Sequence, residues 1–175
     1  MEEETLDFYT LYLEEVQAVL PLSEGEEQAL LAALLAGKKE AAARLAEGKL
    51  KRVIELAEEY RDRGLPMSDL VQEANMALLL AAREYAGGDF DEWMEQQIRR
   101  ALEEAISSQN QELQIEEEMA ARVNVLKDIS AAMAEELGRE ATVEELAERM
   151  RMTEDEIKDI MKLTLDAMTV SGQRG

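Results

Sequence analysis

Residues 63–85, RGLPMSDLVQEANMALLLAAREY, decide how the rest of the chain is read. Gly64 and Pro66 interrupt any helix arriving from upstream, because proline's ring fixes φ and removes an amide donor. Ser68 or Asp69 then offers a side-chain oxygen to the free amides of a new first turn, which predicts a helix start. From that point Leu70, Ala74, Ala77, Leu78 and Ala81 recur at three- and four-residue steps, the rhythm of one buried stripe. Asp69, Gln72, Glu73 and Asn75 share a second face, with Leu79 among them. That face lacks the opposite-charge pairs that lace a solvated helix, so it reads either as a polar surface or as a docking surface.

Outward from this helix the same rhythm continues in both directions. Upstream, LDFYTLYLEEVQAVLPLS reads as a helix ending before Pro21, and SEGE from Ser23 fits a capping box that opens a second helix stopped at Gly37. Between 38 and 64 a third helix carries an inward stripe of Leu45, Leu50, Val53, Ile54, Ala57 and Tyr60, with Gly48 as its weak point. Downstream, Gly87 and Gly88 break the chain, and a helix resumes near Phe90 and runs past Ile106. The polar stretch SSQNQELQIEEEMAA follows as a linker or frayed helix. Three more helices close the chain: one ending at Gly138, one capped by Thr142 with Glu145, and one capped by Thr153 with Glu156. Leu126, Ile129, Met133, Leu137, Val143, Leu146, Met150, Ile157, Ile160, Met161 and Leu165 are expected to form their common core.

The expected fold is therefore all-α. The expected organisation is a helical domain over 1–108, a linker or frayed helix over 109–120, a three-helix unit over 121–170 and a tail over 171–175. A hydrophobic fraction of 46% in 175 residues is ample for a core. With no cysteine, no histidine and no apolar run near eighteen residues, the expectation is a cytoplasmic chain without disulfides and with no place in a membrane. The same absences remove the usual zinc ligands and the usual imidazole or thiolate chemistry. Neither enzyme activity nor a cofactor is expected. A net charge of −21 repels phosphate and gains nothing from counterion release, which argues against duplex DNA as a partner of the isolated chain.

GLPMSDLVQEANMALLLAAREY resembles the core-binding helix of the bacterial RNA polymerase sigma factors of the sigma-70 family, whose pattern runs GLP-x-x-DLIQEGN-x-GLM-x-A-x-x-x-F/Y. The two family glycines are here Ala74 and Ala77, which favour a helix interior by roughly 0.5–1 kcal/mol each. Tyr12, Leu13, Glu15 and Val16 fit the family's opening YL-x-E-(I/V) helix, and ELGREATVEELAERM resembles its ELGREPT-x-EE-(I/L)-AE-x-(M/L) motif. The resemblance runs from about Leu11 to Val170. It implies docking on core RNA polymerase, at the coiled coil of the largest subunit, through Asp69, Gln72, Glu73, Asn75 and Leu79. A C-terminal promoter-binding domain and the finger segment have no counterpart, so the chain is expected to be either a fragment or a shortened relative.

YAGGDFDEWMEQQIRRALEEAI corresponds to the family's promoter-melting and promoter-reading helix, and there the match is partial. Phe90, Ile98, Ala101, Leu102 and Ile106 keep the apolar frame, while Gln96 and Gln97 stand where the family has paired tryptophans. Stacking on an unpaired base contributes roughly 1–3 kcal/mol, so two lost platforms weaken open-strand binding considerably. Trp93, Arg99 and Arg100 are the remaining candidates for DNA contact, with Trp93 read chiefly as a packing anchor. Glu103 and Glu104 replace reading and phosphate-contacting positions, and Glu118 and Ala121 replace the upstream promoter contacts. Between 86 and 120, ten acidic residues oppose two arginines, a surface expected to repel a promoter unless held there within a holoenzyme. The resulting expectation is an initiation factor with a degenerate promoter surface. Its rivals are a working sigma factor with unusual promoter contacts, an acidic regulator, decoy or adaptor that binds a basic protein surface instead of DNA, and a plain helical scaffold.

Overall fold

The computed structural model describes the backbone of residues 7–172 and the side chains through residue 165. Among the described residues the chain is all-α, with helices α1 (Phe8–Gln17), α2 (Glu24–Leu35), α3 (Ala41–Glu58), α4 (Met67–Arg83), α5 (Phe90–Leu137), α6 (Val143–Met150) and α7 (Glu154–Gly172). No helix among them is long and apolar enough to cross a membrane. The chain divides into two compact units, residues 1–110 and 111–175, and α5 supplies residues to each.

In the first unit the helix boundaries follow from local chemistry. Asp7 accepts from the Tyr9 amide at the head of α1, and Ser23 accepts from the Glu26 amide at the head of α2. The Glu26 carboxylate, expected to return a bond to Ser23, is held instead by Arg44 of α3 at 2.9 Å. Gly37 ends α2 at φ +82°, and the Lys38 amide reaches back to the Ala33 carbonyl at 2.9 Å. The expected cap of α4 is also corrected. Pro66, extended at ψ 151°, is the N-cap residue, and no side chain caps this helix. Proline needs no amide partner there, so the helix begins at Met67, and Asp69 falls in its first turn, where a carboxylate favours the dipole.

The core of this unit gathers one stripe from each helix: Leu45, Val53, Leu56 and Ala57 of α3; Leu70, Val71, Ala74, Leu78 and Ala82 of α4; and Phe90, Met94, Ile98 and Leu102 of α5. Gly48 is not a weak point. α3 runs through it unbroken because Leu22 presses on the bare backbone, so the missing side chain makes room for the α1–α2 connection. Polar bonds tie the outer edges of this unit together. Tyr9 Oη donates to Glu58, and burial together with that carboxylate pushes the Tyr9 phenol up to about 12.

In the second unit the last part of α5 packs with α6 and α7 around Leu126, Met133, Leu146, Ala147, Ile157 and Ile160. Leu137 and Leu165, expected in this core, are 43% and 65% exposed, since each lies at the outer edge of its helix face. Residues 109–120 are helical within α5, and no separate helix begins at 121. The stretch has neither glycine nor proline to end a helix. Thr142 and Glu145 form a reciprocal capping box at α6, and Thr153 and Glu156 do the same at α7. The Arg139 guanidinium, followed by the Thr142 amide, holds the Glu145 carboxyl at about 2, well below the usual carboxylate range. Thr142→Ala removes the hydroxyl half of this box and is expected to cost about 1 kcal/mol, read as a lower thermal midpoint in far-ultraviolet circular dichroism. An unchanged midpoint would show that the Arg139 pair alone holds the turn.

Candidate docking face and groove on α4

The outward face of α4 is built by its register. Positions 69, 73, 76 and 80 fall within about 60° of one another at 100° per residue, opposite the buried Leu70, Ala74 and Leu78. Asp69, Gln72 and Glu73 are exposed on this side, and Leu79 is half-buried at its flank. Asn75 points elsewhere. Its Nδ2 donates to the Tyr12 hydroxyl of α1 at 2.8 Å, and its Oδ1 is enclosed with no partner among the described residues. Burial raises the Tyr12 pKa, the Asn75 bond opposes that shift, and the Glu15 charge adds to it. Four of the five predicted docking residues thus share one surface, while Asn75 is occupied by a contact between α1 and α4.

Two residues that the sequence reading passed over sit in the middle of that surface. Met76 is 68% exposed and Leu80 54% exposed. The signal that would have found them is the spacing 69, 73, 76, 80, but in an Ala- and Leu-rich run two further apolar residues do not stand out. Together with Leu79 they form one wall of a groove of about 540 Å³, whose other wall is Gln97, Arg100, Ala101 and Glu104 of α5.

The promoter-reading candidates lie along α5 in different settings. Trp93 is half-buried, and its indole N–H donates to the Ala81 carbonyl at 3.1 Å, which holds the ring against the core. Arg99 forms a two-armed pair with Glu59, the residue that ends α3 as its C-cap, at 2.5 and 3.2 Å, and that carboxylate raises its pKa. Arg100 is exposed and pairs with Glu104 at 3.0 Å. The acidic excess counted along this helix is therefore partly internal. Asp91 meets Lys49 at 2.6 Å, Glu95 meets Arg52 at 2.7 Å, and Asp89 accepts from the Glu92 amide at 3.1 Å. Burial alone would lower the Lys49 pKa, but the Asp91 and Glu27 carboxylates together raise it. Pairing with Arg52 holds the Glu95 carboxyl below its usual range.

Comparison with known proteins agrees with this architecture. The family model for Sigma-70 region 2 matches residues 45–112, and that for Sigma-70 region 3 matches residues 121–173. The chain is similar to the RNA polymerase sigma factor SigA of a Bacillus species, at 34% identity over 163 residues, 91% of this chain and 43% of the relative. It is similar also to SigA of Listeria monocytogenes, at 32% identity over 91% of this chain and 44% of the relative. SigA of Clostridium acetobutylicum is 33% identical over 91% of this chain and 43% of the relative. The chain thus spans under half the length of the curated relatives it matches. With both regional models matched in order, in the two units where the helices α3–α5 and α5–α7 pack, the chain belongs to the sigma-70 family.

Proposed function

We propose that the chain is a transcription initiation factor of the sigma-70 kind, which docks on core RNA polymerase through the outward face of α4. The observation that carries this reading is the row Asp69, Gln72 and Glu73, exposed and free of ion pairs among the described residues, on the helix whose sequence matches the family's core-binding pattern. The partner surface is the coiled coil of the polymerase largest subunit, which would lie along α4 as a helix against a helix. Promoter contact is weaker than in the family and depends on the holoenzyme, because Arg99 and Arg100 are already paired with Glu59 and Glu104. No chemical step is assigned to the chain.

Purified core RNA polymerase is expected to bind the wild-type chain, and Asp69→Ala/Gln72→Ala to weaken that binding about tenfold, the effect of roughly 1.4 kcal/mol. Both side chains are exposed, so the variant is expected to keep its helical spectrum. Binding indifferent to this variant would remove the docking face from the reading, and no binding at all would remove the polymerase. A second reading, an acidic adaptor for a basic protein surface, is favoured by the exposed run Glu116, Glu117 and Glu118 in the second unit. Affinity that survives Asp69→Ala/Gln72→Ala but collapses with salt would select it.

A further inference from the structure

We infer that α1 is a releasable latch on α4, which withholds Asn75 through the Tyr12 hydroxyl and adds that amide to the docking face when it lifts. The inference rests on the docking reading of α4 and supplies a regulation of the same face from within the chain. At 100° per residue Asn75 falls about 40° from Leu79 and about 60° from Gln72, so its register belongs to the flank of the exposed row. What removes it from that row is the bond from its Nδ2 to Tyr12 Oη at 2.8 Å, made to a helix 63 residues upstream. The bond leaves the amide half satisfied. Asn75 Oδ1 is enclosed with no partner among the described residues, whereas water or a partner chain could match both ends of the group. An unmatched buried acceptor opposes the closed arrangement, and lifting α1 relieves it.

The attachment of α1 is light. Of its ten residues only Tyr9 and Val16 are buried, while Phe8 is 83% exposed and Leu11 37% exposed. Among the described residues, two side-chain hydrogen bonds tie it to the rest of the unit, Asn75 to Tyr12 and Tyr9 to Glu58. The connection that follows is fixed by contrast. Leu22 fills the space at Gly48, and the Leu20 carbonyl accepts from Arg44 Nη1 at 3.4 Å. Release therefore concentrates at Ala18 and Val19, where the helix ends in a turn, and leaves α2 to α5 packed. A ten-residue helix is marginal alone in water, so α1 frays as it lifts and its amides exchange with solvent. Affinity for a partner that needs Asn75 is then reduced by the fraction of chains in which α1 is closed.

The probe is purified core RNA polymerase, with amide hydrogen exchange of the full chain as a second readout. Tyr12→Phe keeps the ring and deletes the hydroxyl. It is expected to speed exchange in α1 about tenfold while α3 and α4 stay unchanged, and to tighten polymerase binding by about threefold or more. Tyr9→Phe, which deletes the other tie, is expected to act in the same direction. In an Asn75→Ala background Tyr12→Phe is expected to give no tightening, because the group it frees is gone. A contact that only holds the fold predicts the opposite sign, weaker binding alongside faster exchange. Unchanged exchange in α1, unchanged or weaker binding by Tyr12→Phe, or tightening that persists without Asn75 would overturn the latch and leave the docking face standing. Binding indifferent to Asp69→Ala/Gln72→Ala in the same assay would instead remove the docking reading, and the latch with it.

Discussion

Ile98→Ala is expected to destabilise the first unit by about 2–5 kcal/mol, the range for truncating a fully buried aliphatic side chain when the surroundings close only partly around the void. Ile98 is 0% exposed and lies on α5 between Met94 and Leu102, both also 0% exposed, against the stripes of α3 and α4. Its loss leaves a hole in the layer that three helices share. The gain in helix propensity from alanine offsets roughly a few tenths of a kcal/mol and does not change the sign. Trp93, the chain's one tryptophan, packs in the first unit, so its fluorescence during urea unfolding reports that unit separately from the helical signal of the whole chain. The expected result is a lower urea midpoint with an unchanged slope. A midpoint within about 0.5 kcal/mol of the wild type, the scale of a neutral surface change, would mean that α5 does not contribute to this core.

Gly48→Ala runs against helix propensity. Alanine in a helix interior is favoured over glycine by about 1 kcal/mol, yet the substitution is expected to destabilise by about 2 kcal/mol through overpacking. A Cβ at residue 48 would stand 2.2 Å from both Cγ and Cδ1 of Leu22, far inside contact distance. Leu22 has little freedom to withdraw, because Pro21 precedes it and Ser23, which follows, caps α2 through the Glu26 amide. The decisive measurement is a double-mutant cycle. In a Leu22→Ala background the obstruction is gone, and Gly48→Ala is expected to become stabilising by up to about 1 kcal/mol. The same sign in both backgrounds would show that Leu22 is not what keeps position 48 a glycine.

The helix boundaries were legible where the chemistry that sets them is local. Ser23, Thr142 and Thr153 each cap the helix that follows, and Gly37 and Gly138 adopt the left-handed conformation that ends one. Most of the inward stripes of α3 and α4 was legible for the same reason, since 3.6-residue periodicity is a property of the segment itself, although α3 buries Leu56, which the expected stripe omitted, and leaves Ile54 out of the core. The start of α4 was misplaced by two or three residues because a side-chain cap and a proline N-cap leave similar traces in sequence.

What the amino-acid sequence determined by itself was the all-α class, most helix ends, the two core stripes and the sigma-70 pattern, each held within a window of a few turns. Only the tertiary structure decided what each face meets. It turned Gly48 from a defect into a fitted gap, exposed Met76 and Leu80 beside a groove, and committed Asn75 to Tyr12. It also converted Asp91 and Glu95 from repulsive surface charges into partners of Lys49 and Arg52, forty or so residues upstream. Such pairings depend on which helix lies alongside, and the spacing within one helix carries no record of its neighbour.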